Sequence, residues 1–294
     1  MDTAAGRGTL ALPPVVEAVR SRVGVVLAAE LEARRGELAA LDPSAAVLVE
    51  ELERLVAAGG KRLRPAFCYL GYRISGGRDG EPIVRAAAAL ELLHTFALVH
   101  DDVMDEAIER RGVETTHVRF ARRFSGGSAG RGRSAAVLVG DLAAVLAEAL
   151  FRSSGFPTER MTEALERFDR MRLEMAAGQY LDLLGAARGD LASAEHVAEL
   201  KTGSYTIEGP LLIGAALADA PKELEARLMA FGRPAGEAFQ LRDDVLDHEA
   251  PPGAAERVHD LVAEAVRALE GIRLEPVAAS ALRALAQAID LPEA

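Results

Sequence analysis

Two copies of one acidic pentad carry the clearest chemical signal in the sequence: Asp101-Asp102-Val103-Met104-Asp105 and Asp243-Asp244-Val245-Leu246-Asp247. Both read D-D-x-x-D inside apolar, helix-forming runs. Residues four apart on a helix share a face, so Asp101 stands beside Asp105 and Asp243 beside Asp247. Like charges at that spacing destabilise an isolated helix by roughly 0.2–0.5 kcal/mol. A bound cation offsets that cost. Mg²⁺ held by one or two carboxylates completes its shell with water and phosphate oxygens. The pattern predicts a Mg²⁺–diphosphate site between two helices.

Cationic groups recur near these carboxylates. Arg110 and Arg111 follow the first pentad just past the expected helix end, and paired guanidinium forks suit a single phosphate-bearing anion. In Gly59-Gly60-Lys61-Arg62-Leu63-Arg64-Pro65 the glycines allow close backbone approach. Lys61 and Arg64 then fall near a helix start, where free N–H groups favour anions. The spacing is not that of a Walker loop. Lys201-Thr202 offers a point charge beside a hydroxyl. Gln179 and Gln240 sit in apolar helical context, either as core amides or pointing into a site. His100-Asp101 also spells the His-Asp pair of helical metal phosphohydrolases, but His117, His196, His248 and His259 do not complete such a ligand set.

Helices must position these groups. Half of the 294 residues are hydrophobic and only 4% aromatic, with no Trp. A core of Ala, Leu and Val suits close-packed helices. Amphipathic runs predict helices over 15–41, up to about 58, from Pro65, and over 82–106, 134–153, 158–185, 193–218, 222–247, 255–270 and 276–290. Ser125–Arg133 reads as a loop or lid. Neither strand alternation nor a hairpin signal persists. The expectation is one all-α domain over residues 1–294, a large bundle with its site in the core.

The formal charge of −11 argues against nucleic acid as a partner. Cys68 is the single cysteine, so no internal disulfide forms. The N-terminus lacks a signal-peptide pattern. Glu91, Asp141 and Glu148 interrupt the longest apolar stretches, which predicts no transmembrane segment. A cytoplasmic protein is expected.

These landmarks together, GGKRLRP at 59–65, ELLHTFALVHDDVMD at 91–105, RRG at 110–112, GD at 140–141, GQYLDL at 178–183, KTGSYT at 201–206 and FQLRDDVLD at 239–247, resemble the trans-isoprenyl diphosphate synthases, or polyprenyl synthetases. The resemblance spans about residues 15 to 247. It implies the isoprenoid synthase bundle with a central apolar cavity, and usually a homodimer. It implies head-to-tail transfer of an allylic prenyl diphosphate onto isopentenyl diphosphate, with Mg²⁺ on Asp101, Asp105 and Asp243. Arg110, Lys201, Thr202 and Gln240 would steady the allylic diphosphate. Lys61, Arg64, His94 and Arg111 would bind isopentenyl diphosphate. Phe96, five residues before Asp101, and Ala97 would line the floor that sets chain length, a pattern resembling that for geranylgeranyl diphosphate.

One departure stands out. Family members continue past the second pentad through a lysine-bearing segment, absent here after residue 247. Either a piece has been left out of the chain, or a natural deletion leaves a slow enzyme, or the chain is a non-catalytic prenyl diphosphate-binding subunit. A class I terpene cyclase on the same scaffold is the further alternative. It needs no isopentenyl diphosphate site, so Lys61, Arg64 and Arg111 weigh against it.

Overall fold

Alanine, leucine and valine supply most of the buried side chains of the helices. The computed structural model describes residues 12–110, 112–124, 126–188, 205–246 and 250–291. Among them lie eleven α-helices: α1 Pro14–Leu41, α2 Ala46–Ala57, α3 Leu63–Ile74, α4 Glu81–Met104, α5 Thr116–Arg123, α6 Ala129–Arg152, α7 Thr158–Arg188, α8 Gly209–Leu217, α9 Lys222–Leu246, α10 Ala254–Ala268 and α11 Pro276–Ile289. The all-α expectation holds. The chain forms two compact units, and the division falls inside α1, α3 and α4.

The first unit comprises Arg20–Pro65 and Val84–Gly155. An unbroken run, Ala86 to Leu90, is fully buried in α4. Four of its five side chains are a single methyl, which leaves room for neighbouring backbones to approach closely. In α6, Gly132 serves the same end. A Cβ there would lie 2.3 Å from the His117 carbonyl oxygen of α5 and 2.8 Å from the Ala121 Cβ.

The second unit comprises the chain up to Val19, Ala66–Ile83 and the chain from Phe156. Here α3 and α8 pack backbone on backbone. A Cβ on Gly71 would meet the Leu211 carbonyl oxygen at 2.0 Å, and one on Gly214 the Cys68 carbonyl oxygen at 2.0 Å. The Cys68 thiol is buried, and burial pushes its pKa up. A π-helical turn over 205–208 leads into α8.

Several expectations need correction. Ser125–Arg133 is not all loop, because α6 already begins at Ala129. Ser128 caps it, its side chain accepting from the Arg131 N–H at 3.4 Å. The glycines that suggested a lid include the close-packing Gly132. Helix α3 starts at Leu63, so Pro65 occupies its first turn, where a missing N–H costs little. A short hairpin also exists. Glu109 pairs with Glu114 and Arg110 with Val113 around Gly112, whose φ is +80°. Two-residue strands are too short to leave an alternation in sequence. Finally, α4 and α6 are long and apolar enough to cross a membrane by length and composition. One or two charges do not exclude a span, so that part of the sequence argument fails. Of these apolar windows 61% and 50%, respectively, are buried within the protein, as in core helices.

Candidate active site

Helix α4 ends inside the first pentad. Its last residue is Met104, yet the Asp105 N–H still donates to the Asp101 carbonyl at 2.9 Å. Asp101 and Asp105 therefore lie one turn apart on one face. The Ala107 N–H returns to the Asp102 carbonyl at 3.0 Å, and Glu106 takes the left-handed conformation with φ of +52°. This is a Schellman-type stop without its usual glycine. The helix is two residues shorter than the apolar pattern suggested.

Arg110 is brought back onto the pentad. Its Nε donates to Asp102 Oδ1 at 2.6 Å and its Nη2 to Asp101 Oδ2 at 2.9 Å. The fork thus spans two adjacent carboxylates. The hairpin makes this possible, and three contacts hold the hairpin. The Thr115 hydroxyl donates to the Ala107 carbonyl at 2.6 Å, the Thr115 N–H to the Ile108 carbonyl at 3.2 Å, and Arg54 Nη2 to the Glu114 carbonyl at 3.4 Å. Behind them Glu51, only 5% exposed, accepts from Arg54, from Arg119 Nε at 3.2 Å and from the Thr116 hydroxyl at 3.0 Å. A buried carboxylate is tolerated because it is this fully bonded.

The electrostatics follow. Burial pushes the Asp102 carboxyl above its ordinary value, and Arg110 pulls against that shift. For Arg110 itself burial lowers the pKa, but the bonds and charges of Asp102 and Asp101 outweigh it, and the net shift is upward. The motif by itself assigned no role to Asp102. The structure makes it the buried anchor for Arg110. The doubled Asp with a downstream Arg was the available signal.

The same unit carries Lys61, Arg64, His94, Phe96 and Ala97. Lys61 is exposed, and the other four are half-buried. Arg62, which drew no attention in sequence, ties their loop down. Its Nη1 donates to the Arg20 carbonyl at 2.8 Å, and its φ is +49°. Gly24 leaves room for it, since a Cβ there would lie 2.6 Å from Arg62 Nη1. The Phe96 ring meets the His100 ring edge-on, with centroids 4.8 Å apart.

In the second unit, α9 carries the second pentad. Gln240 Nε2 donates to Asp244 Oδ1 at 2.7 Å, one turn on. Arg242 is buried, and its Nη1 lies 3.7 Å from Asp243 Oδ1, while the Asp243 side chain is 48% exposed. Gln179 Nε2 is buried and makes no hydrogen bond among the described residues. Arg257, which follows soon after the second pentad, is committed to Glu237 at 2.8 and 3.1 Å. Arg111, Lys201, Thr202 and Asp247 lie outside the described residues.

Among the described residues no group of three or more His, Cys, Asp or Glu side chains is arranged to hold a metal. Mg²⁺ typically takes its ligands from carboxylates and substrate phosphates together rather than from a protein cage alone. The hard oxygen donors of Asp101 and Asp105 on one helical face fit such an ion.

Comparison with known proteins gives a consistent family. A family model described as "Polyprenyl synthetase" matches residues 45–266. A geranylfarnesyl diphosphate synthase of Aeropyrum pernix is 37% identical over 198 residues, covering 65% of this chain and 58% of the relative. A geranylgeranyl diphosphate synthase of Methanosarcina mazei is 36% identical, covering 67% of this chain and 57% of the relative. The chain thus spans less than two thirds of the length of these curated relatives. Among solved structures, a geranylgeranyl pyrophosphate synthase from Corynebacterium glutamicum, complexed with isoprenyl diphosphate and magnesium, superposes with a TM-score of 0.84 at 27% identity. It covers 94% of this chain and 98% of that one.

Proposed function

Because the chain belongs to the polyprenyl synthetase family, we propose that it is a Mg²⁺-dependent prenyltransferase that joins an allylic prenyl diphosphate to isopentenyl diphosphate. The allylic C–O bond breaks and the diphosphate leaves with its electron pair. The isopentenyl double bond forms the new C–C bond, and a proton is lost to restore the alkene. The observation that carries this reading is the Arg110 fork held across Asp101 and Asp102 at the end of α4. It sets fixed positive charge among carboxylates, as departure of a diphosphate requires.

Asp101, Asp105 and Asp243 hold Mg²⁺, which when bound supplies Lewis-acid neutralisation of the leaving group. Arg110, Lys201, Thr202 and Gln240 grip the allylic diphosphate. Lys61, Arg64, His94 and Arg111 take isopentenyl diphosphate. Phe96 and Ala97 bound the growing chain, with geranylgeranyl diphosphate as product. The named relatives make linear products of more than one length, so they support the reaction type more than the length. The names of those relatives favour neither the cyclase nor the non-catalytic subunit. The reading extends to a single functional domain, a homodimer and a cytoplasmic location.

The test is direct. Purified protein receives Mg²⁺, labelled isopentenyl diphosphate and each allylic diphosphate in turn. Longer linear products are expected, and Asp101→Ala abolishes them without loss of helical circular dichroism. Cyclic hydrocarbon from one substrate, or full turnover by Asp101→Ala, refutes the reading.

A further inference from the structure

Phe96 and His100 stand one turn apart on the same face of α4, with ring centroids 4.8 Å apart and ring planes at 65°. A helical side chain leans over the turn N-terminal to its own Cα, so the His100 ring covers the turn that carries Phe96. His100 is itself seated on α6. Its Nε2 lies 3.1 Å from the Val137 carbonyl oxygen and 3.7 Å from Asp141 Oδ1. A helical carbonyl keeps a second lone pair, so it accepts the imidazole N–H without giving up its helix bond.

The seat exists because residue 140 is glycine. A Cβ on Gly140 would fall 2.2 Å from His100 Cδ2 and 2.3 Å from Nε2. Neither distance is sterically tolerable, so the ring rests on bare helix backbone. The order in space is therefore the α6 backbone, then the imidazole, then the Phe96 phenyl ring. Phe96 cannot swing towards α6 unless His100 leaves its place.

We propose that His100 is a positioning residue for Phe96 and so helps set the length of the prenyl chain, with Gly140 and Asp141 of α6 as its seat. This rests on the proposed role of Phe96 as the floor of the chain pocket. His100 acts through the phenyl ring and needs no contact with substrate.

The experiment compares product-length distributions, at matched turnover, for the unaltered enzyme, Phe96→Ala, His100→Ala, Gly140→Ala and the double variant Phe96→Ala/His100→Ala. Phe96→Ala and His100→Ala are each expected to shift the main product at least one five-carbon unit longer, whereas Gly140→Ala, which drives the imidazole towards the phenyl ring instead of removing it, is not expected to lengthen the product. In the Phe96→Ala background the His100 change adds nothing, as for two residues acting through one contact. A merely structural role for His100 would lower turnover and leave product length unchanged. If Phe96→Ala lengthens the product and His100→Ala does not, the inference fails while the reading of Phe96 stands. If Phe96→Ala leaves the length unchanged, both fail. Should Gly140→Ala not fold, His100→Ala carries the test. Should turnover be too low for product analysis, calorimetry with allylic diphosphates of increasing length reads the same quantity. A preferred length one unit greater supports the inference, and an unchanged preference overturns it.

Discussion

Arg110 shows why residue type matters at this site. Its planar fork bonds two carboxylates at once, at 2.6 and 2.9 Å. Lysine offers one compact point charge and cannot reproduce that geometry. Arg110→Lys is expected to lower kcat/KM for the allylic substrate by about tenfold or more, equivalent to about 1.4 kcal/mol of lost transition-state stabilisation. Steady-state kinetics with isopentenyl diphosphate saturating checks this. His117 supplies a pH dependence. Burial, with some help from Arg133, holds its pKa below the ordinary 6.5, against the opposing charges of Asp102 and Glu106. In that window the unfolded chain binds a proton that the folded chain does not. The contribution to stability is fully present above the unfolded value and is lost as pH falls through the folded one. Thermal midpoints measured between about pH 5 and 7.5 should fall on acidification, and His117→Gln should flatten that part of the profile.

Elements are set against one another by glycine more than by large side chains. The α3–α8 contact is the tightest case, with carbonyl oxygens of each helix 2.0 Å from where a Cβ of the other would stand. In isolation Gly71→Ala gains helix propensity worth about 1 kcal/mol. Against it stands overpacking, which costs about 1–3 kcal/mol where side chains can move and more where the obstacle is backbone. Overpacking wins. Gly71→Ala is expected to lose roughly 2 kcal/mol or more net, read from the urea midpoint at unchanged m-value. The hairpin teaches a related lesson. Its strands are two residues long, and what holds them is Thr115 below and the bonded Glu51 network behind.

At the scale of the molecule, α6 presents an apolar stripe to solvent. Leu138 is 56% and Val145 64% exposed, two turns apart on one face. The proposed homodimer would bury such a pair, which is the ground for testing this face as the subunit contact. Leu138→Glu is therefore expected to convert the protein to monomer, with sedimentation velocity as the measurement. An unchanged dimer places the contact elsewhere.

Much of this molecule was legible before its fold was seen. The all-α class followed from an aromatic-poor, Ala- and Leu-rich composition. Most helices end within a few residues of where their apolar period stops, as in α1, α2, α9 and α10. The paired pentads and their flanking cations were visible as chemistry because carboxylate spacing on a helix is a local property. What escaped depends on contacts between residues far apart in sequence. Asp102 becomes the anchor for Arg110 only once a hairpin folds the chain back eight residues later. Gly132 belongs to a helix rather than a lid because α5 leaves no room for a Cβ. Arg62 and Glu51 matter through partners 42 and up to 68 residues away. Local pattern determines which residues can do chemistry, because periodicity and side-chain type are written along the chain. Tertiary packing alone decides which of them is buried, bonded and aimed, because desolvation and steric exclusion arise only when distant segments meet.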